Sequence, residues 1–260
     1  MSAEFCGAGR QTAPGSRVLV NRARLFHAAG VSIPENISQL QARIAAACER
    51  ANRSPAEVQL LAVSKGHSTT AIEKAAAAGQ VVFGESKVQE AKAKIPQCPG
   101  RLRWQMIGHL QSNKCRDAVQ LFEMIQSVDS LHLAEEISRR CEQASRTMPV
   151  LLEVNVAGES SKFGYAPGRL LEELESLNAL PRLEIHGLMT IAPYVTLAEK
   201  ARPFFRELKE LKQRCEDRLG APLPELSMGM SGDFEVAVEE GATIVRVGTA
   251  LFGERHYHRS

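Results

Sequence analysis

From residue 34 onward, apolar positions along the chain follow two alternating rhythms. In PENISQLQARIAAACERANR, Ile37, Leu40, Ile44 and Cys48 recur at helical spacing and mark one face of a helix. VQLLAVSKG, at 58–66, is instead a short continuous apolar run, the pattern of a strand buried on both faces. The two rhythms then repeat. Apolar runs predict strands at 58–65, 81–85, 103–109, 124–129, 149–156, 184–192, 225–230 and 244–249. Amphipathic stretches such as TTAIEKAAAAG, LHLAEEISRRCEQAS and LAEKARPFFRELKELKQRCEDRL predict helices between them. Such alternation implies parallel strands joined by right-handed crossovers. Eight of them within 31–260 predict a single closed (β/α)8 barrel of the TIM type. An open doubly wound sheet is the alternative, but no Gly-rich dinucleotide fingerprint follows the first strand.

A barrel gathers its chemistry at the C-terminal ends of its strands and favours phosphate after the seventh and eighth. The first predicted strand ends on Lys65, the second in FGES with Glu85 and Ser86, and the third in IGHLQSNK with His109 and Asn113. Asn155 lies on the fifth and Thr190 at the end of the sixth; SMGMSGD and RVGT close the seventh and eighth. Every end but the fourth thus offers a polar or Gly-rich group. A lysine at a strand end can be a surface residue. Partial burial there would instead lower its pKa and supply a neutral, nucleophilic amine. Leu61, Val63 and Lys65 share parity, so an inward-facing Leu61 carries the amine over the mouth. Around 227–232 and 247–253, glycines and hydroxyls can present unblocked N–H donors to a phosphate. Arg246 shares parity with Gly248; an exit-loop arginine paired with Glu239 or Glu240 is the plainer reading.

Composition narrows the classes. Of 260 residues, 44% are hydrophobic and 24% charged, as in ordinary globular domains, and a net charge of +2 gives no general electrostatic case for nucleic acid. No apolar run reaches the roughly 20 residues needed to span a bilayer. Six scattered cysteines without a CxxC pair argue against a zinc site or disulfide framework, so a cytoplasmic setting is expected. Residues 1–30 carry four arginines, one acidic residue and little periodicity. A dispensable, disordered extension is expected there. A transit peptide, or a true start near Val31, are the other readings.

AVSKG, FGESKVQEA, IGHLQSNK, VNVAGESSKFG, GLMTIAP and LSMGMSGDFEVAVEEGATIVRVGTALFGER together resemble the YggS/PROSC family of pyridoxal-phosphate homeostasis proteins, in order, over about 34–257. The resemblance implies a fold-type III barrel like the N-terminal barrel of alanine racemase. It also implies pyridoxal 5′-phosphate (PLP) held as a Schiff base on Lys65. It places Ser227, Gly248 and Thr249 at the phosphate, with Met228, Gly229 and Ser231 nearby, and Arg246 at the pyridine nitrogen. His109, Asn113 and Ser86 match segments near the cofactor, Asn155 and Met189 the pocket wall, and Lys162 a family segment without a defined role. Two departures stand out: Ser86 stands where Asn is common, and Lys87 where Arg or Tyr is often found; Gln105 also replaces a frequent His.

No turnover is implied by the resemblance; the expected role is buffering PLP and delivering it to apo-enzymes. A monomer is expected, a dimer being the alternative. An amino-acid racemase is the rival reading. It needs an acid/base on each face of the substrate adduct, and relatives take the second, a tyrosine, from another domain. The sequence stops soon after the eighth strand, so no such domain is expected. Tyr165, Tyr194 and Tyr257 fall in no segment matching that tyrosine. A barrel enzyme forming an imine between Lys65 and a phosphorylated sugar is a third reading. It would draw on Glu85 or Asp233.

Overall fold

The computed structural model describes residues 1–2 and 32–254, so the predicted N-terminal extension lies almost wholly outside the described residues. Eight parallel strands close in sequence order into a barrel, β1 pairing with β8. They are β1 (Gln59–Val63), β2 (Val82–Glu85), β3 (Arg103–Met106), β4 (Met124–Val128), β5 (Met148–Glu153), β6 (Leu183–Met189), β7 (Glu225–Ser227) and β8 (Ile244–Val247). The helices are α1 (Ile33–Arg50), α2 (Thr69–Ala77), α3 (Val88–Lys94), α4 (Cys115–Leu121), α5 (Leu131–Gln143), α6 (Pro167–Asn178), α7 (Arg202–Leu219), α8 (Phe234–Glu239) and α9 (Thr249–Phe252). The barrel expected from the sequence is therefore the fold.

Alternate residues divide two cores. Leu61, Val63, Val82, Ile107, Met124, Leu151, Met189 and Ile244 take one parity and fill the barrel interior. Ala62, Phe83, Val150, Leu188, Leu226 and Val245 take the other and pack beneath the helices. Each buried aliphatic side chain contributes about 1.5–3 kcal/mol. The fully apolar appearance of the strands has this two-sided burial as its cause.

The ring of helices needs α1. Because α9 is only four residues long, α1 packs against α2, α8 and α9 and completes the outer layer. Its start is written in SIPE: the Ser32 N–H donates to Glu35, and Ser32 Oγ accepts from the Glu35 N–H, with Pro34 in the first turn. Ile37, Leu40, Ile44 and Cys48 are buried, as their spacing predicts. Arg43 grips Glu235 of α8 through two hydrogen bonds, and Asn36 donates to the Leu251 carbonyl at 2.9 Å.

Strand ends differ systematically from the prediction. The structure stops β1, β3, β5, β6, β7 and β8 two or three residues earlier, on the C-terminal side. There the backbone leaves the ladder to form the mouth, as the left-handed Gly66 and Gly229 show. Between β5 and β6 the register slips at Val150/Leu151, and Glu153 pairs with Met189 at the mouth.

Candidate functional site

A cleft of about 330 Å³ opens at the C-terminal end of the barrel, within the size range of small-ligand sites. Lys65, Arg246, Gly248, Thr249 and Ser231 line it together with Asp233, Gly232, Met230, Val63, Ile107 and the loop residues Ile191, Pro193, Tyr194 and Val195. Five of the eleven residues singled out for the cofactor thus meet in one wall, from three strand ends.

Lys65 follows β1 by two residues and keeps the inward parity of Leu61 and Val63. It is half-buried. Arg246 is 4% exposed and held from below. Its Nη1 donates to Ser227 Oγ at 2.6 Å and its Nη2 to the Thr190 carbonyl at 2.7 Å. Ser227 in turn donates to Gln126 Oε1, and Gln126 Nε2 donates to Gln105 Oε1. This file of side chains crosses the barrel interior and fixes the guanidinium plane. Burial lowers the Arg246 pKa to about 10, against the upward pull of Glu153 and Asp233, so it stays protonated at neutral pH. Pairing with Glu239 or Glu240 does not occur: those carboxylates take Arg50, Arg202 and Arg206 instead.

In the same lining, the loops after β7 and β8 leave donors open. Among the described residues, no group accepts from the backbone N–H of Ser231, Gly232, Gly248 or Thr249. Ser231 Oγ accepts from the Ala250 N–H, which leaves its own proton to donate. Gly229 makes this turn with φ +88°, and a Cβ there would lie 2.5 Å from that of Ala237. Asp233, the first residue before α8, does not cap that helix; its carboxylate accepts from the Met230 N–H at 2.6 Å. Burial raises its pKa against the Met230 bond and Arg246.

The other six predicted residues lie outside the wall of this cleft. Ser227 keeps inward parity, but its hydroxyl is committed to Arg246 and Gln126 beneath the floor. Met228 faces the opposite way, into the layer under the helices. Gly229 serves the turn, its carbonyl accepting from the Arg246 N–H. Asn155 folds back on its own loop, bonding the Glu159 backbone. His109 is exposed, stacks on Phe163 at 3.7 Å and bonds Asp129 at 3.0 Å. Ser86 packs by its backbone where Gly108 leaves room. Asn113 is exposed as well, Met189 is buried in the interior core, and Lys162 bridges Glu159 to the carbonyls of Ile191 and Ala192.

Four contributors escaped the sequence reading. The fourth strand, which offered nothing recognisable, supplies Gln126 and Asp129. Tyr194 lines the cleft although it belongs to no resembling segment; it is 94% exposed. Glu153 ends β5 facing inward, 6% exposed, beside a second cavity of about 180 Å³ that it shares with Asn155, Lys162 and Phe163. Burial and repulsion from Asp129 push its carboxyl up to about 7 against the pull of Arg246.

An inward amine, a fixed guanidinium and a cradle of free N–H groups around one cleft define a barrel that can hold a phosphorylated aldehyde. The sequence pattern of the alanine racemase N-terminal domain family matches residues 36–256. PipY of Synechococcus elongatus, solved with and without PLP, is 41% identical; the match covers 85% of this chain and all of that one, with TM-scores of 0.75 and 0.77. An alanine racemase of Clostridium difficile shares only 16% identity (TM-score 0.66), covering 87% of this chain and 58% of that one, a likeness of fold alone. The pyridoxal phosphate homeostasis protein of Aquifex aeolicus is 44% identical over 224 residues, 86% of this chain and 98% of its own. That of Pseudomonas aeruginosa is 43% identical over 229 residues, 87% and 97% of the two chains. The chain belongs to the pyridoxal phosphate homeostasis protein family.

Proposed function

We propose that this chain binds PLP, holds it covalently on Lys65 and gives it up again to apo-enzymes in the cytoplasm, without turning over amino acids. The observation that carries the reading is the meeting, in one cleft, of Lys65, Arg246 and four backbone N–H groups that have no acceptor among the described residues. When bound, PLP supplies an aldehyde that condenses with a primary amine and a ring that withdraws electrons.

Each residue acts in a way its surroundings support. Half-buried in the cleft wall, Lys65 supplies the primary amine that forms the covalent bond, with loss of water. The N–H groups of Ser231, Gly232, Gly248 and Thr249, with the two hydroxyls, suit a phosphate dianion; each charge-assisted bond contributes about 1.5–3 kcal/mol. Arg246 would stand at the ring nitrogen. Locked by Ser227 and Thr190, it donates and cannot accept, which disfavours a proton there and weakens the ring as an electron sink. Turnover by a racemase-like route would depend on a second acid/base. Among the described residues Tyr194 is the tyrosine that lines the cleft, and its almost complete exposure denies it the burial that tunes such a group.

The test is incubation of the PLP-loaded protein with single L-amino acids in deuterium oxide, beside a transfer assay to an apo-enzyme. Transfer is expected, with neither racemisation nor α-deuterium exchange above a free-PLP control. Robust exchange that disappears in Lys65→Ala would make the protein an enzyme.

A further inference from the structure

Behind the cleft lies a group of charges that the binding reading does not use. Lys94, the last residue of α3, is buried, and its Nζ donates to Glu85 Oε1 at 2.7 Å, Glu90 Oε1 at 2.7 Å and the Ser64 carbonyl at 2.9 Å. Glu85, at the end of β2, is fully buried and also accepts from Ser64 Oγ at 2.7 Å, while its second oxygen has no partner. Glu90 accepts in addition from the Gly66 N–H at 2.6 Å. Burial raises the pKa of Glu85 over the opposing bonds from Lys94 and Ser64. For Glu90, burial is outweighed by Lys94 and the Gly66 N–H, and the pKa falls.

Burying Lys94 and Glu85 is costly, and an apolar pair of similar volume would stabilise the fold as well or better. What this cluster does that an apolar one could not is grip two peptide groups. One is the carbonyl of Ser64, immediately before Lys65; the other is the N–H of Gly66, immediately after. Gly66 sits at φ +73°, so the chain turns sharply as it leaves the lysine. The turn's own bond, from the His67 N–H to the Ser64 carbonyl at 3.0 Å, closes it, and the cluster adds a hold on the Gly66 N–H and a second one on the Ser64 carbonyl.

We propose that Lys94, Glu85 and Glu90 are positioning residues for Lys65: they clamp the peptides on either side of it and so aim its amine at the aldehyde carbon of the bound ligand. The proposal rests on Lys65 being the PLP lysine. It predicts a split between two ligands of nearly equal shape. PLP can bond covalently to Lys65. Pyridoxine 5′-phosphate carries an alcohol in place of the aldehyde and reads only the phosphate and ring contacts.

The experiment titrates both ligands into the full chain and three variants. Glu90→Ala releases Gly66 while leaving the buried Lys94–Glu85 pair intact. Glu90→Gln keeps an oxygen acceptor for the Gly66 N–H. The double variant Lys94→Met/Glu85→Gln frees the Ser64 carbonyl without leaving a buried charge unpaired. Expected are a tenfold or greater loss of PLP affinity in Glu90→Ala and in the double variant, a pyridoxine 5′-phosphate affinity within twofold of the unaltered chain, and recovery of PLP binding in Glu90→Gln. Equal weakening of both ligands would make the cluster merely structural and overturn the proposal, as would unchanged PLP binding in folded variants. If the unaltered chain itself bound the two ligands equally and gave no borohydride-trapped adduct on Lys65, the underlying reading would fail instead.

Discussion

Glu153→Gln is a perturbation whose size follows from the structure. The carboxyl faces the barrel interior with 6% exposure, and among the described residues nothing hydrogen-bonds it. Burial, then the neighbouring Asp129, raise its pKa from 4.5 to about 7, with Arg246 opposing. At about 1.4 kcal/mol per pH unit, that displacement corresponds to roughly 3 kcal/mol. The sign follows from proton binding. Between about pH 4.5 and 7 the folded chain holds this proton more tightly than the unfolded chain, so stability falls as pH rises through that window. A neutral amide of the same shape does not suffer this loss. Glu153→Gln is therefore expected to match the unaltered protein near pH 4.5 and to exceed it by roughly 3 kcal/mol at pH 8. For a barrel of this size the gain is roughly 6–12 °C in melting temperature. The assay is thermal or urea unfolding of both proteins from pH 4.5 to 8.5. A difference that does not grow with pH, or a variant less stable at pH 8, would refute the assignment of a destabilising buried carboxylate.

Three further outcomes follow from the same geometry. Pyridoxal lacking the phosphate should bind at least 100-fold more weakly than PLP, since it forgoes two or more bonds of about 1.5–3 kcal/mol each; equal affinities by titration would rule out the amide cradle. Gly229→Ala should destabilise by about 2 kcal/mol or more, because it puts a side chain at φ +88° and 2.5 Å from Ala237; circular dichroism melts read this directly. A chain beginning at Val31 should keep the melting temperature and PLP affinity of the full chain, and a large loss of either would mean that residues 1–30 pack on the barrel.

The barrel was legible because its strands are buried on both faces and stand out as apolar runs between amphipathic helices. Lys65 was legible as the charge that ends such a run, and Arg246 and Gly248 through their shared parity. What set their partners was not. Arg246 is held by Ser227, and Ser227 by Gln126, which lies 101 residues earlier in the chain. A glutamine inside MIQSV carries no local sign that it faces the interior. Ser227, expected at the phosphate, does not line the cleft; its hydroxyl bonds Arg246 and Gln126. Glu153 hid in LLEVN, where a charged residue ending a strand reads as the point where it meets water. Gln105, noted only as a departure, proved to be the acceptor that orients Gln126.

The central claim is that Lys65 carries PLP, and trapping tests it most directly. The PLP-saturated protein would be reduced with borohydride, digested, and its modified peptides mapped by mass. A pyridoxyl adduct is expected on Lys65 at about one per chain, with loss of the imine absorption band on reduction and no adduct in Lys65→Ala, whose fold is otherwise preserved. Trapping on another lysine, or an adduct at full stoichiometry in Lys65→Ala, would contradict it.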